Sequence, residues 1–497
     1  VDPLTFSLCW SPVLLLAVLA VVFKRPALEM SVWGALFTFG LVVLWFETPV
    51  RVTLLAALDG ALTTLPLVLV ILAGILLSSL LLATGSFKRI VDWAMAGVRD
   101  AFQRSLLITL GVGNFMEGAS VIAEPVVAPM LAAAGVSPFG AASLSIIGYA
   151  GLMTLEMAGL IITVLALVTG LPAYDLGLAS AWLSIPATLS MAACLPFFLP
   201  GPPGVWRRLA LSLGCGLLVG LVALAAAAWL GVSISGMLGG LGLIVALLAL
   251  GPGGLRLNGQ IARDLAPFGF MLLALLLLNV VPPLKDLTVN RLGLKLSLTP
   301  VHDVTLTPFF SAYTYLFLAF LLSVRLLRVP AEQVRRALSQ GGSKGWRACL
   351  AMSLFGAMGQ MIAFSGWSAG FASLDQAHNL PHLLAQGLFV QTGSLYPVFV
   401  PFLGWVGTFL TGYGVAAIML FGQLQVQAAE LMNVSATWLS AGLAVGASLG
   451  SISSPFKIAI ATPMCNAQGQ EGAILRWTIP LGVAASLLIG LLLWLFL

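Results

Sequence analysis

Gly113-Asn-Phe-Met-Glu-Gly-Ala-Ser-Val-Ile-Ala-Glu-Pro125 places two carboxylic acids, Glu117 and Glu124, inside sequence otherwise apolar enough for lipid. An ionisable side chain at that depth costs at least about 2.5–3.5 kcal/mol on insertion scales, so its default reading is functional. A second stretch, Gly407-Thr-Phe-Leu-Thr-Gly412 followed by Tyr413-Gly414, repeats the skeleton Gly-x-Phe-(Met/Leu)-x-Gly. We read the two stretches as halves of one site.

The chain is 60% hydrophobic and 8% charged, against roughly 25% charged for a soluble domain. Apolar runs of spanning length recur throughout, which makes this a polytopic membrane protein with the lipid bilayer as its surroundings. No stretch is polar and long enough for a soluble domain. The net charge of +5 does not point to nucleic acid, because the basic residues sit in short loops, where Lys and Arg set topology. Cys9, Cys194, Cys215, Cys349 and Cys465 are scattered without metal spacing and read as small buried hydrophobes. No metal or cofactor is expected.

Taken in order, residues 8–23 form a first span that ends at Lys24-Arg25. A basic pair after the apolar run, not before it, argues against a leader, fixes the loop in the cytoplasm and puts the N-terminus outside. Residues 29–46 return outward, and 52–84 run inward with a break near Pro66. The loop carrying Lys88, Arg89, Arg99 and Arg104 reads as an interfacial helix with Phe87, Ile90, Trp93 and Ala94 on one side. In residues 105–135, two short apolar arms flank the glycines of the opening stretch. Neither arm reaches the roughly 20 residues of a span, so a re-entrant hairpin from the cytoplasmic side is expected. Residues 137–170 are too long for one straight span and hold Gly148-Tyr-Ala-Gly151 and Glu156, which predicts a discontinuous helix.

Spans at 177–199, 208–230, 234–250 and 264–281 follow, with Arg207-Arg208 and Arg256/Arg263 at cytoplasmic ends. Residues 282–306 are polar and fall outside by this count. Beyond span 307–325 lies a basic cluster, Arg325, Arg328, Arg335, Arg336, Lys344 and Arg347, then a span at 347–365. The echo stretch occupies 395–432, and 436–465 is a second long, broken segment carrying Lys457. A last span covers 477–497, with Arg476 at its cytoplasmic end.

Span, hairpin and broken span thus occur twice, and charge placement makes the first hairpin cytoplasmic and the second external. The expected fold is an all-α polytopic membrane protein. It has inverted repeats, each with a re-entrant hairpin and a discontinuous transmembrane helix, which is a transporter device. The expected division is N-terminal spans in 1–50, a first repeat with its following spans in 51–281, an external connector in 282–306 and a second repeat in 307–497.

Phe115-Met-Glu-Gly-Ala119, Gly135-Val-Ser-Pro138 and Val168-Thr-Gly-Leu171 resemble the first-half pattern of the bacterial L-lactate permease family. Phe402-Leu-Gly-Trp-Val-Gly-Thr-Phe-Leu-Thr-Gly412, Leu420-Phe-Gly-Gln-Leu-Gln425 and Ser454-Pro455 with Ile458-Ala-Ile460 resemble its second-half pattern. The resemblance covers most of residues 50–497 and departs from the family at both tips. It implies import of L-lactate, glycolate or a related 2-hydroxy monocarboxylate together with protons. The departures are Ser120-Val-Ile-Ala-Glu-Pro125 after the first tip, Tyr413–Ile418 after the second, Gly148–Gly151 at the first break, and Lys457 in place of a small polar residue.

A small organic anion at mid-membrane needs positive potential and hydrogen-bond donors. Helix N-termini at two tips supply both, and glycines let backbone approach closely. The candidate substrate-binding residues are Gly118, Ala119 and Ser120 at the first tip and Tyr149 at the first break. The second tip adds Thr411, Gly412, Tyr413 and Gly414, and the second break adds Ser451, Ser453, Ser454 and Lys457. Lys457 is the only Lys or Arg between Arg347 and Arg476. It reads either as a partner for the substrate carboxylate, or as a snorkelling or paired lysine, with Glu156 the named pair. For proton coupling the candidates are Glu117, which matches the family's glutamate directly, then Glu124 and Glu156. A carboxyl in low dielectric can bind and release a proton near neutrality.

Gly366-Trp-Ser-Ala-Gly370 matches Gly-x-Ser-x-Gly, but that motif needs a strand–turn–helix setting. It leaves a remote alternative, an intramembrane serine hydrolase using Ser368 with His378 or His382. The two histidines lack a third metal ligand. Trp10, Trp45, Trp206, Trp229, Trp346 and Trp477 sit near span ends as interface anchors. The expected function is a secondary active transporter of the bacterial cytoplasmic (inner) membrane, not an enzyme, importing a small carboxylate with protons. The alternatives are a different organic anion with Na⁺ as the coupling ion, and a non-transporting sensor or scaffold. A homodimer is compatible with either transport reading.

Overall fold

The computed structural model describes residues 2–98, 100–199, 204–251 and 258–497, without the side chains of residues 340, 341 and 344. Arg99, Arg256 and the Lys344 side chain, used above as topology markers, therefore lie outside the described residues. The described chain is mostly helical, as a membrane span demands. In hydrocarbon every backbone N–H and C=O must be paired within the segment. Among the described residues, ten helices are long and apolar enough to cross a membrane, or up to twelve if each of two bent pairs counts as one span.

Most of the predicted spans are found, with boundaries set by capping and proline, but the one expected at 307–325 is the 15-residue helix Ala312–Leu326, short of the roughly 20 residues of a crossing. The first is Pro3–Val22, with the Asp2 carboxylate accepting the Thr5 N–H at its start. Ala27–Leu44 follows, then Val50–Thr63 and Leu65–Ala83, which meet at Thr64. The predicted break near Pro66 thus falls two residues earlier, because a proline in the first turn of a helix costs no hydrogen bond. The interfacial helix is Ser86–Ala96, with Phe87 and Ala94 buried and Ile90 and Trp93 partly buried. Arg89 pins it to the fully buried Asp264 of Gly259–Val280 through two 2.7 Å bonds, and Ser86 Oγ adds a third at 2.8 Å.

Three elements differ from expectation. The connector is not merely a polar link, since β1 (Leu294–Thr299) and β2 (His302–Leu306) pair as an antiparallel hairpin. The later part of the basic cluster, from Arg335 on, and the span after it form one 33-residue helix, Ala331–Ala363, because no proline interrupts the segment, while Arg325 and Arg328 lie before Pro330. Around the second stretch, Tyr396–Thr411 and Gly414–Met432 fill the expected 395–432 but are not both short arms. The second arm has 19 residues, so arm length alone does not require it to turn back.

Two helices are bent where the sequence predicted breaks. Pro138–Ala150 and Met153–Thr169 make an angle of 61°, and Ala436–Ser453 and Pro455–Met464 an angle of 45°. In the second pair, Pro455 holds Ser454 extended and Ser454 Oγ caps the new helix at the Lys457 N–H. In the first pair, Met157, Ala158 and Gly159 are all left-handed, with φ of 51°, 54° and 72°. Each bent pair rests on the helix before its turn through a glycine. A Cβ on Gly148 would lie 2.5 Å from the Thr109 carbonyl oxygen, and one on Gly446 only 1.9 Å from that of Pro401.

Candidate functional site

The opening stretch folds as Gly113–Gly118, a loop, and a helix Glu124–Ala133 that starts on the second acid. A π-helical segment, Leu107–Val112, leads into it. Asn114 fixes the approach: its buried amide donates to Leu110 O at 2.7 Å and to Gly148 O at 3.1 Å, tying the turn to the first bent pair. Glu117 is buried, and its Oε1 accepts the Ala123 N–H at 2.8 Å, closing the loop on itself. Ser120 sits at that loop with φ +60°. Gly118 is needed for packing, because a Cβ there would lie 2.3 Å from the Met237 nitrogen.

Glu124 has the more consequential setting. It is 1% exposed, and its Oε1 accepts a 2.5 Å bond from the Tyr149 hydroxyl. The Lys457 ammonium, carried in from the second bent pair, donates to the same Tyr149 oxygen at 2.7 Å and lies 3.6 Å from Glu124 Oε1. It also sits 4.6 Å from the Tyr149 ring centroid, within cation–π range. A cation, a phenol and a carboxyl from three helices therefore meet in one compact triad. Glu124 Oε2 has no partner and is buried. One position of this acid is left open for a proton or another donor.

The Lys457–Glu156 pair considered from sequence is not formed, and Lys457 turns to Tyr149 and Glu124 instead. Glu156 lies past the 61° bend, against Gly236 of Val232–Leu250, whose missing side chain makes room for it. Its carboxyl is fully buried with neither oxygen hydrogen-bonded. Glu117, Glu124 and Lys457 are its charged neighbours.

The second tip meets the same helix one residue away. Gly412 is left-handed at φ +84°, and a Cβ on it would lie 3.1 Å from Phe456 Cβ. The Tyr413 ring packs on Phe456 with centroids 5.2 Å apart. Thr411 spends its hydroxyl on Gly407 O at 2.7 Å and on Tyr413 O at 3.1 Å, and Gly414 begins the next helix. Phe456 and Lys457 thus touch the second and first tips respectively. Ser451 and Ser453 donate to the Ser448 and Thr478 carbonyls, and Ser454 is the helix cap, so these three hydroxyls hold the break open. Ala119 is fully buried at the first tip.

Sequence reasoning passes over Thr154 and Ser448, whose hydroxyls meet at 2.5 Å and join the two bent pairs. It also passes over Asp59, although the rule that selects Glu117, an acid in an apolar helix, selects it equally. The hydrolase arrangement is absent among the described residues. Ser368 bonds Ser373, His378 bonds Asp375, and His382 lies between Gln427 and Gln386.

The chain matches the L-lactate permease family model over residues 6–251 and 256–497. It is 25% identical over 542 residues to the L-lactate permease of Escherichia coli (strain K12), covering 97% of this chain and 94% of that one. Glycolate permease GlcA of the same organism is 25% identical over 508 residues, covering 90% and 87%. The L-lactate permease of Streptococcus iniae is 24% identical over 456 residues, covering 86% and 92%. These relatives are permeases, which makes this chain a multi-pass membrane transport protein and not an enzyme. The chain belongs to the L-lactate permease family.

Proposed function

We propose that the chain is a secondary active transporter of the bacterial cytoplasmic membrane, importing L-lactate, glycolate or a related 2-hydroxy monocarboxylate with protons. The observation that carries this reading is the Lys457–Tyr149–Glu124 triad, held at the bends of two helices. In the unloaded site the Lys457 charge is balanced by Glu124. A proton arriving on Glu124 frees Lys457 and the Tyr149 hydroxyl to face a substrate carboxylate. Lysine plus carboxylate is neutral, and lysine plus protonated acid plus substrate anion is neutral too. A one-to-one symport therefore gives the empty and the loaded site the same net charge, so loading adds no buried charge, which is the costly alternative. Glu117, at the same turn, and Glu156, past the bend, are the other acids available to pass the proton on.

The two bent pairs, each rested on the preceding helix by a glycine, support a pair of inverted repeats whose tips approach one site from opposite sides. Alternating access then follows from rocking one half against the other. The charge pattern supports a cytoplasmic first tip, an external second tip and an external N-terminus.

Uptake of labelled L-lactate and glycolate into proteoliposomes, with an imposed pH gradient or Na⁺ gradient, tests the proposal. Accumulation driven by the pH gradient is expected. Accumulation driven by Na⁺ alone would overturn the proton, and no uptake of any 2-hydroxy acid would overturn the substrate class.

A further inference from the structure

Away from the acid cluster, the connector hairpin drives one side chain into the helices. His302, the first residue of β2, places Nδ1 2.7 Å from Asp59 Oδ2 in Val50–Thr63. It places Nε2 2.7 Å from the Leu167 carbonyl oxygen, near the end of the first bent pair. Gln360, from Ala331–Ala363, donates to the same Asp59 oxygen at 2.8 Å, and the Phe364 ring stands edge-on to the imidazole with centroids 6.1 Å apart. Asp59 is fully buried, and its Oδ1 has no partner.

A neutral imidazole has one N–H, so it can satisfy one of these two acceptors and must turn a lone pair toward the other. Only when the His302–Asp59 pair holds an additional proton are both contacts hydrogen bonds. The charged neighbours of the ring are Asp59 and Asp303, and Asp303 is itself balanced by Lys295 of β1 at 2.6 Å. Gln360 and the Leu167 carbonyl add dipoles and no charge. We propose that His302 and Asp59 form a proton-binding site separate from the acid cluster. Its proton latches the connector hairpin onto Val50–Thr63 and the end of the first bent pair, so the pH of the solution bathing the hairpin sets whether that helix end is clamped or free.

The sign follows from the surroundings. Burial pulls the His302 pKa down, but the Asp59 hydrogen bond and charge, with the Leu167 carbonyl, outweigh it and leave the pKa above its ordinary 6.5. A raised histidine contributes its stability fully below the open-state value. That contribution is lost as pH climbs through the closed-state value. Latch closure therefore weakens about tenfold per pH unit above about pH 6.5, until the closed-state pKa is passed.

Hydrogen–deuterium exchange of the full-length protein, read on peptides covering 294–306 from about pH 5 to about pH 9 and corrected for intrinsic exchange, tests this. The wild-type hairpin should lose protection through that window. His302→Gln and Asp59→Asn should each give a hairpin whose protection no longer depends on pH. A flat wild-type profile overturns the proposal, as does a His302→Gln protein that keeps the wild-type slope. If one variant does not fold, the wild-type profile and the other variant decide. The measurement does not involve substrate, so its outcome is independent of the transport reading.

Discussion

The Tyr149 hydroxyl accepts from the Lys457 ammonium at 2.7 Å and donates to Glu124 at 2.5 Å. One phenol thus relays between a cation on the second bent pair and an acid at the first tip. Tyr149→Phe keeps the ring, and with it the cation–π contact, but removes both bonds. Hydrogen bonds to charged groups are worth about 1.5–3 kcal/mol each, so the variant should bind substrate roughly ten- to a hundredfold more weakly. The concentration dependence of initial uptake measures this. An unchanged KM would place the relay off the binding path.

Glu124→Gln addresses the proton. A glutamine is nearly isosteric and still accepts from Tyr149, but it cannot take up a proton. Net accumulation driven by a pH gradient should disappear, while exchange of labelled for unlabelled substrate persists. Wild-type uptake should rise as the loading side is made more acidic, and the variant should be flat over the same range. Running the same two assays on Glu117→Gln and Glu156→Gln ranks the three acids. Intact coupling in Glu124→Gln with lost coupling in Glu117→Gln would move the proton to the loop-closing acid.

What was legible in the sequence is what depends on local hydrophobicity. The apolar runs, the interfacial helix around Phe87 and Ala94, and the two bends at Gly148–Gly151 and Ser454-Pro455 follow from runs, glycines and a proline within a few residues of each other. Partner choice was not legible. Lys457 faces Glu124 rather than Glu156 because a 61° bend carries Glu156 away toward Gly236, and no spacing rule gives that angle. The β-hairpin is a signal missed rather than absent. Leu294-Lys-Leu-Ser-Leu-Thr299 alternates apolar and polar residues with the period of a strand. The polar composition of the connector masked it.

Gly148 and Gly446 offer a test of whether the two halves are built alike. Each lets the helix before a bend lie directly on backbone of the preceding arm, against Thr109 and Pro401 respectively. A methyl group has no room at either place, and the obstacle is a carbonyl rather than a mobile side chain. Gly148→Ala and Gly446→Ala should each cost about 1–3 kcal/mol, the range of overpacking a tight core, and should lower uptake through loss of folded protein. Thermal unfolding of the purified variants checks this. Loss of stability in one variant with none in the other would argue against equivalent construction.

The left-handed turn at Met157–Gly159 makes a prediction of opposite sign to the one a plain helix makes. Gly159 has φ +72°, and a Cβ on it would lie 3.0 Å from Ser233 Cα. In a right-handed helix, Gly→Ala is stabilising by about 1 kcal/mol, because alanine is the better helix former. In a left-handed turn the added Cβ costs roughly 1–2 kcal/mol, and here it must also push back the backbone of Ser233. Gly159→Ala should therefore destabilise the protein by about 1–2 kcal/mol. Ala158→Gly should be close to neutral, since relief at φ +54° is offset by a buried methyl worth about 0.8 kcal/mol and by glycine's greater chain entropy. Denaturant unfolding of the two variants in detergent distinguishes the cases. A Gly159→Ala protein more stable than wild type would mean the segment after Glu156 continues as an ordinary helix, and the carboxyl would then point away from Gly236.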